Sequence, residues 1–238
     1  MSGFEAILAT AERRKGGTKA LADLLPKVPA RSKVRNLADD RVLAEMAKRV
    51  FSSGFSWKVI EAKWAGFEDA FRGFDPDALA AQQDGYWNRL KSDTRIVRNA
   101  IKIVSVRDNA RFVQDVAREH GSFGRMLAKW PATEQAGLLR MLAERGSRLG
   151  GKTGQYLLRF LGWDGYVLSK DVVACLRASG LDIADDPKSK GDFERIQARF
   201  NAWAAETGRP VAHLSKICAM SVGVNYAPHE LTDDEATG

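Results

Sequence analysis

Four glycines, Gly146, Gly150, Gly151 and Gly154, crowd around Leu149, Lys152 and Thr153. Glycine tolerates positive φ and lets a backbone come close to another molecule. A glycine turn that feeds a helix start points unpaired N–H groups outward, which makes an anion site. Lys152 and Thr153 add a cation and a hydroxyl, so the chemistry on offer is the grip of one backbone phosphate. The same residues also describe a tight helix–helix turn with glycine as C-cap.

The flanking periodicity supplies the two helices. Leu138, Leu139, Met141 and Leu142 recur at helical spacing and predict a helix from about Thr133 to Arg145. Tyr156, Leu157, Phe160 and Leu161 predict a second helix from near Lys152. The helical hairpin therefore occupies about 133–162. Past it, Gly162–Gly165 reads as a turn, and Ser169 caps a helix to about Leu176. Asp164 and Asp171 are the nearby carboxylates, and Asp171 falls in the first turn of that helix. It is a candidate for chemistry at a sugar, or a partner of the helix dipole.

Upstream, Arg13-Arg14-Lys15 and Arg31, Lys33, Arg35 form basic clusters, either a solvated face or a DNA-facing one. A helix is predicted from Asp39 or Asp40, as N-cap, to Val50 or Phe51. The turn Ser52–Ser56 opens a helix carrying Trp57, Ile60 and Trp64, with Phe67, Phe71 and Phe74 at core spacing. Asp75-Pro76 is a helix start. The longest helix is predicted from Thr94 to His120, on a stripe of Ile96, Ile103, Val106, Ala110, Val113 and Ala117, with Gly121 stopping it and Ser122 capping the next. Residues 181–191 read as a loop, followed by helices at about 191–206 and 210–222, and residues 229–238 as a frayed tail. No window alternates with period two, so the predicted fold is all-α.

The 238 residues are 45% hydrophobic and 28% charged, with a formal charge of +7. That is an ordinary soluble composition, long enough for one large domain, and its basicity suits a polyanionic partner. No apolar run is long enough to span a bilayer. Cys175 and Cys218 make no disulfide framework, and with three histidines no spacing resembles a zinc site. A cytoplasmic, nucleoid-associated bacterial protein without metal or cofactor is expected, acting as a monomer with no membrane partner.

Several pieces, in order, resemble one family: Leu43-Ala-Glu-Met46, Gly54-Phe-Ser-Trp57, Phe71 to Pro76, Ile96-Val-Arg98-Asn99 with Lys102-Ile103, Asn109-Ala110, Gly121-Ser-Phe123, and the hairpin with Tyr156. Over about 39–176 the chain is similar to the 3-methyladenine DNA glycosylase I group of the helix-hairpin-helix superfamily. The resemblance implies a two-lobed helical fold, spanning 1–238 as a single glycosylase-like domain. It implies removal of alkylated purines from double-stranded DNA by base flipping and hydrolysis of the N-glycosidic bond, without a cofactor. It implies phosphate binding by Leu149, Gly150, Gly151, Lys152 and Thr153. It places Trp57, Ser56, Phe55 and Tyr156 at a base pocket, where Trp57 is otherwise a core residue, and makes Asp171 the catalytic carboxylate. The chain departs from the family where an N-terminal Cys and His help bind zinc, with only Cys175 near a later ligand position. Its purine-reading glutamate falls at about Arg49 or Val50. The alternative is a non-catalytic DNA-binding relative.

Overall fold

The computed structural model describes residues 3–225. Fifteen α-helices and no strand occur among them. In chain order they are α1 (Gly3–Lys15), α2 (Thr18–Asp23), α3 (Arg31–Arg35), α4 (Asp39–Ser52), α5 (Trp57–Ala62), α6 (Trp64–Ala70), α7 (Pro76–Ala80), α8 (Asp84–Leu90), α9 (Ala100–His120), α10 (Phe123–Lys129), α11 (Gln135–Arg145), α12 (Gly151–Phe160), α13 (Lys170–Ala178), α14 (Lys190–Thr207) and α15 (Val211–Ser221). The expected frayed tail at 229–238 lies outside the described residues.

The helices pack in two groups. In one, α9 is the axle, and α4, α7, α8 and α10 lie against it. In the other, α15 is surrounded by α1, α13 and α14, so the first helix closes on the last. The hairpin α11–α12 bridges them, α12 resting on α4 and α11 on α14. Apolar residues of both groups join in one continuous buried cluster. Phe51, Phe67, Phe71 and Phe74 are fully buried, with Trp64 stacked on Phe67 and Phe74. Burying each such ring contributes about 1.5–3 kcal/mol, which anchors the C-terminal end of α4 against α6.

Four local expectations change. Asp39 does not cap its own helix, whose N-cap is Ala38. Its carboxylate instead accepts from Phe123 N at 2.9 Å, satisfying a first-turn donor of α10 beside the Ser122 cap. The long helix begins at Ala100 rather than Thr94, because the Asn99 carboxamide accepts from Lys102 N and starts it there. Trp57 and Trp64 belong to two short helices broken at Lys63. The N-terminal cluster is partly structural: Arg14 donates to the carbonyls of Met220, Val222 and Gly223, and Arg31 to that of Trp130.

After α12 the chain runs extended through 163–169, with no neighbouring strand to satisfy its backbone. Side chains do so instead. Gln135 donates to Tyr166 O and accepts from Tyr166 N, both at 2.8 Å, and Gln155 accepts from Leu168 N at 2.7 Å. Ser215 accepts from Val167 N and donates to Val167 O. Buried peptide groups left unpaired would each cost about 1–3 kcal/mol, so these three side chains fix the path that delivers Ser169 and Asp171 to the start of α13.

Candidate functional site

Leu149 is fully buried and plugs the hairpin turn. A Cβ on Gly154 would collide with the Leu149 carbonyl oxygen, so this position must be glycine for the second helix to close on the turn. Gly151 begins α12 at φ 58°, a left-handed value. No side chain caps this helix at Gly150, so its first-turn N–H groups stay open to a ligand, and Gly150, Gly151 and Lys152 are exposed. The expected phosphate-binding residues are therefore contiguous in space, with Leu149 as plug rather than ligand.

Sequence reasoning did not find what holds this turn. Asn109, buried on α9, donates to Ser147 O at 3.0 Å and accepts from Ser147 N at 2.7 Å. The signal was available, since a carboxamide stands on the buried stripe of a long helix and must be satisfied there.

Between the hairpin and the end of α4 lies a cavity of about 320 Å³, lined by Val50, Ser53, Arg148, Gly150 and Thr153. Lys102 secures the α4 side. Its ammonium is buried, donates to Ser53 O and to Phe51 O at 3.1 Å, and sits 4.7 Å from the Phe55 ring centre. Burial, with the nearby Arg148 charge, pushes its pKa down. A cation on the last carbonyls of a helix is favourably placed against the helix dipole. The loop beyond α4 thus acquires a fixed base, while Phe55 on it stays 42% exposed.

Phe55 and Ser56 are exposed and Trp57 is half-buried at the start of α5. Tyr156, also half-buried, lies on α12 one turn from Thr153, along the face of a helix that rests on α4. Asp171 stands apart, in the first turn of α13. Its carboxylate lies against Gly223, which a Cβ would drive into the Asp171 oxygens, and Arg14 fixes that segment through its carbonyls. Asp164 is committed elsewhere, accepting from Val211 N and Ala212 N to cap α15.

One further group borders α4. Arg49 lies one turn from Glu45, with Nε 2.7 Å from Oε1, and its guanidinium is stacked 3.8 Å from the centre of the Phe160 ring. Burial raises the Glu45 pKa, and Arg49 and Lys48 oppose that rise. A zinc ion does not fit this chain: Cys175 packs beside Cys218 and Ser221, His213 engages Pro26 O, and His120 lies with Glu119. No cluster of three or more potential metal ligands occurs among the described residues.

Residues 34–144 match the family described as methyladenine glycosylase. Among solved structures, a 3-methyladenine DNA glycosylase I is 22% identical with a TM-score of 0.47, over 58% of this chain and 82% of that one. A variant of a 3-methyladenine DNA glycosylase I in complex with 3-methyladenine is 20% identical, TM-score 0.48, over 63% and 85%. The corresponding enzyme from Staphylococcus aureus is 21% identical, TM-score 0.44, over 69% and 86%. Arg49, Phe55, Ser56, Trp57, Lys102 and Asn109 fall inside the matched stretch. The hairpin turn, Tyr156 and Asp171 follow it.

Proposed function

We propose that this chain, which belongs to the methyladenine glycosylase family over residues 34–144, is a DNA repair N-glycosylase that removes alkylated purines from double-stranded DNA. The observation that carries this reading is the uncapped, glycine-built start of α12 facing the end of α4 across a cavity bordered by Arg148 and an exposed aromatic loop. The hairpin holds one phosphate through its N–H groups and Lys152, which anchors the duplex without reading its sequence. The target nucleotide is turned out of the stack, as chemistry on a base inside a duplex requires. Phe55 and Ser56 meet the vacated site, and Trp57 and Tyr156 offer the extruded base their faces, where stacking contributes about 1–3 kcal/mol per base.

The C1′–N bond breaks with both electrons leaving on the base, and water adds to the sugar. An alkylated purine that carries positive charge departs neutral, so modest assistance suffices. A carboxylate near the sugar stabilises the developing oxocarbenium character, the role assigned to Asp171. No lysine is given a Schiff-base role, so the product is an abasic site. The chemistry uses no cofactor.

The test is base release from methylated duplex DNA by the wild type and Asp171→Asn. Release by the wild type that falls at least about tenfold in the variant supports both the reaction and the carboxylate. Equal release assigns Asp171 a purely structural part. The second reading, a non-catalytic DNA binder, is favoured by one observation: Gly223 packs directly on the Asp171 carboxylate. Tight duplex binding with no base released would establish it.

A further inference from the structure

The side chain of Arg49 is poised for recognition. Its Nε is sealed from solvent and lies 2.7 Å from Glu45 Oε1, yet off the axis of a directional hydrogen bond, so charge holds the pair. Its guanidinium plane is fixed by stacking on Phe160. The two terminal nitrogens have no hydrogen-bond partner among the described residues, and neither is among the sealed atoms. Arg49 therefore presents a rigid pair of donors with its rotamers already restricted. Nearby, Val50 and Ser53 of the same helix line the cavity with Thr153 of α12. Phe160 remains 51% exposed, an apolar border to the donor pair.

The occupant follows from the charge and the fork. Glu45 neutralises Arg49 locally and would repel a phosphate, so the site suits an uncharged planar group with two adjacent acceptors. A 6-oxopurine has that edge, with O6 beside N7, whereas a 6-aminopurine sets an N–H donor beside N7 and faces one arm of the fork with another donor. The geometry points to Arg49 as a specificity-determining residue that selects a 6-oxopurine, of guanine or hypoxanthine type, over a 6-aminopurine at the base site. This inference rests on the excision reading above and narrows its substrate class.

The experiment titrates free hypoxanthine and free adenine into the full-length protein by ligand-observed NMR, for wild type, Arg49→Gln and Arg49→Lys. The Glu45→Gln/Arg49→Gln pair is included so that no lone buried carboxylate is left to unfold the protein, and each variant is checked by thermal melting. Hypoxanthine is expected to bind at least about tenfold tighter than adenine, a discrimination typical of a bidentate arginine contact. Arg49→Lys, which keeps the charge and loses the fork, should abolish the preference, as should the double variant. Equal binding, tighter adenine binding, no binding of either base, or a preference retained in the folded variants would each overturn the proposal. Base release from duplexes carrying hypoxanthine or 3-methyladenine runs in parallel. If neither is released while the free-base preference holds, the excision reading fails and the fork stands. Release without an oxopurine preference sinks the fork alone.

Discussion

Asn109 on α9 grips Ser147 of the hairpin turn by both edges of its carboxamide, donating to the carbonyl and accepting from the amide of one residue. Neither helix of the hairpin contains Asn109, so the turn is set from across the core. Asn109→Ala leaves both peptide groups of Ser147 without that partner, which predicts a loss of about 1–3 kcal/mol and weaker duplex binding. Asn109→Asp retains the acceptor but sets a carboxylate against the Ser147 carbonyl and should be no better. Denaturant unfolding and DNA titration, run on both variants, check this; wild-type affinity in either would refute the clamp.

Lys152 tests the phosphate grip with little structural cost, because it is exposed in the first turn of α12. Lys152→Glu should reduce duplex affinity at least about tenfold. Loss of one phosphate contact should also flatten the plot of log K against log salt by about 0.9. An unchanged salt slope would move the grip elsewhere.

Phe55 is exposed and its ring rests by Lys102. Phe55→Ala should alter stability by no more than about 0.5 kcal/mol, as for other surface substitutions, while base release falls by at least about tenfold. Melting curves and release assays on one preparation separate the two effects.

Lys102 gives a pH signature. Burial and Arg148 push its folded pKa below the ordinary 10.5, so over the interval between the two values the unfolded chain binds more protons than the folded one. Stability carried by this group therefore rises with pH through that interval. Relative to Lys102→Met, the wild type should gain stability as pH climbs toward 10.5. Parallel unfolding curves across the alkaline range read the difference, and a gap that shrinks would contradict the assignment.

Gly154 reports on hairpin closure. Gly154→Ala places a methyl group on the Leu149 carbonyl oxygen, and backbone cannot yield as a flexible side chain would. The variant should melt lower and lose duplex affinity together. An unaffected melting temperature would show that α12 can shift away from the turn.

What the sequence by itself determined is the part governed by local chemistry. Periodicity located the helices, Asp75-Pro76 and Ser169 marked starts that the structure keeps through backbone bonds to their side chains, and the glycines around Leu149 marked the hairpin. These features act over a few residues, so type and spacing suffice. The beginning of α9 was misplaced because Ile96 is buried without being helical; burial alone continued the stripe past the Asn99 cap. Tertiary structure decided everything that depends on which surfaces meet. It took Asp39 from its own helix to cap α10 and assigned Asp164 to α15. It placed Gly223 on Asp171, and Phe160 under Arg49. The physical reason is that a carboxylate or guanidinium answers to the nearest donor, charge or ring in space. For these residues, those partners lie on helices distant in the chain, or beyond the end of the last one.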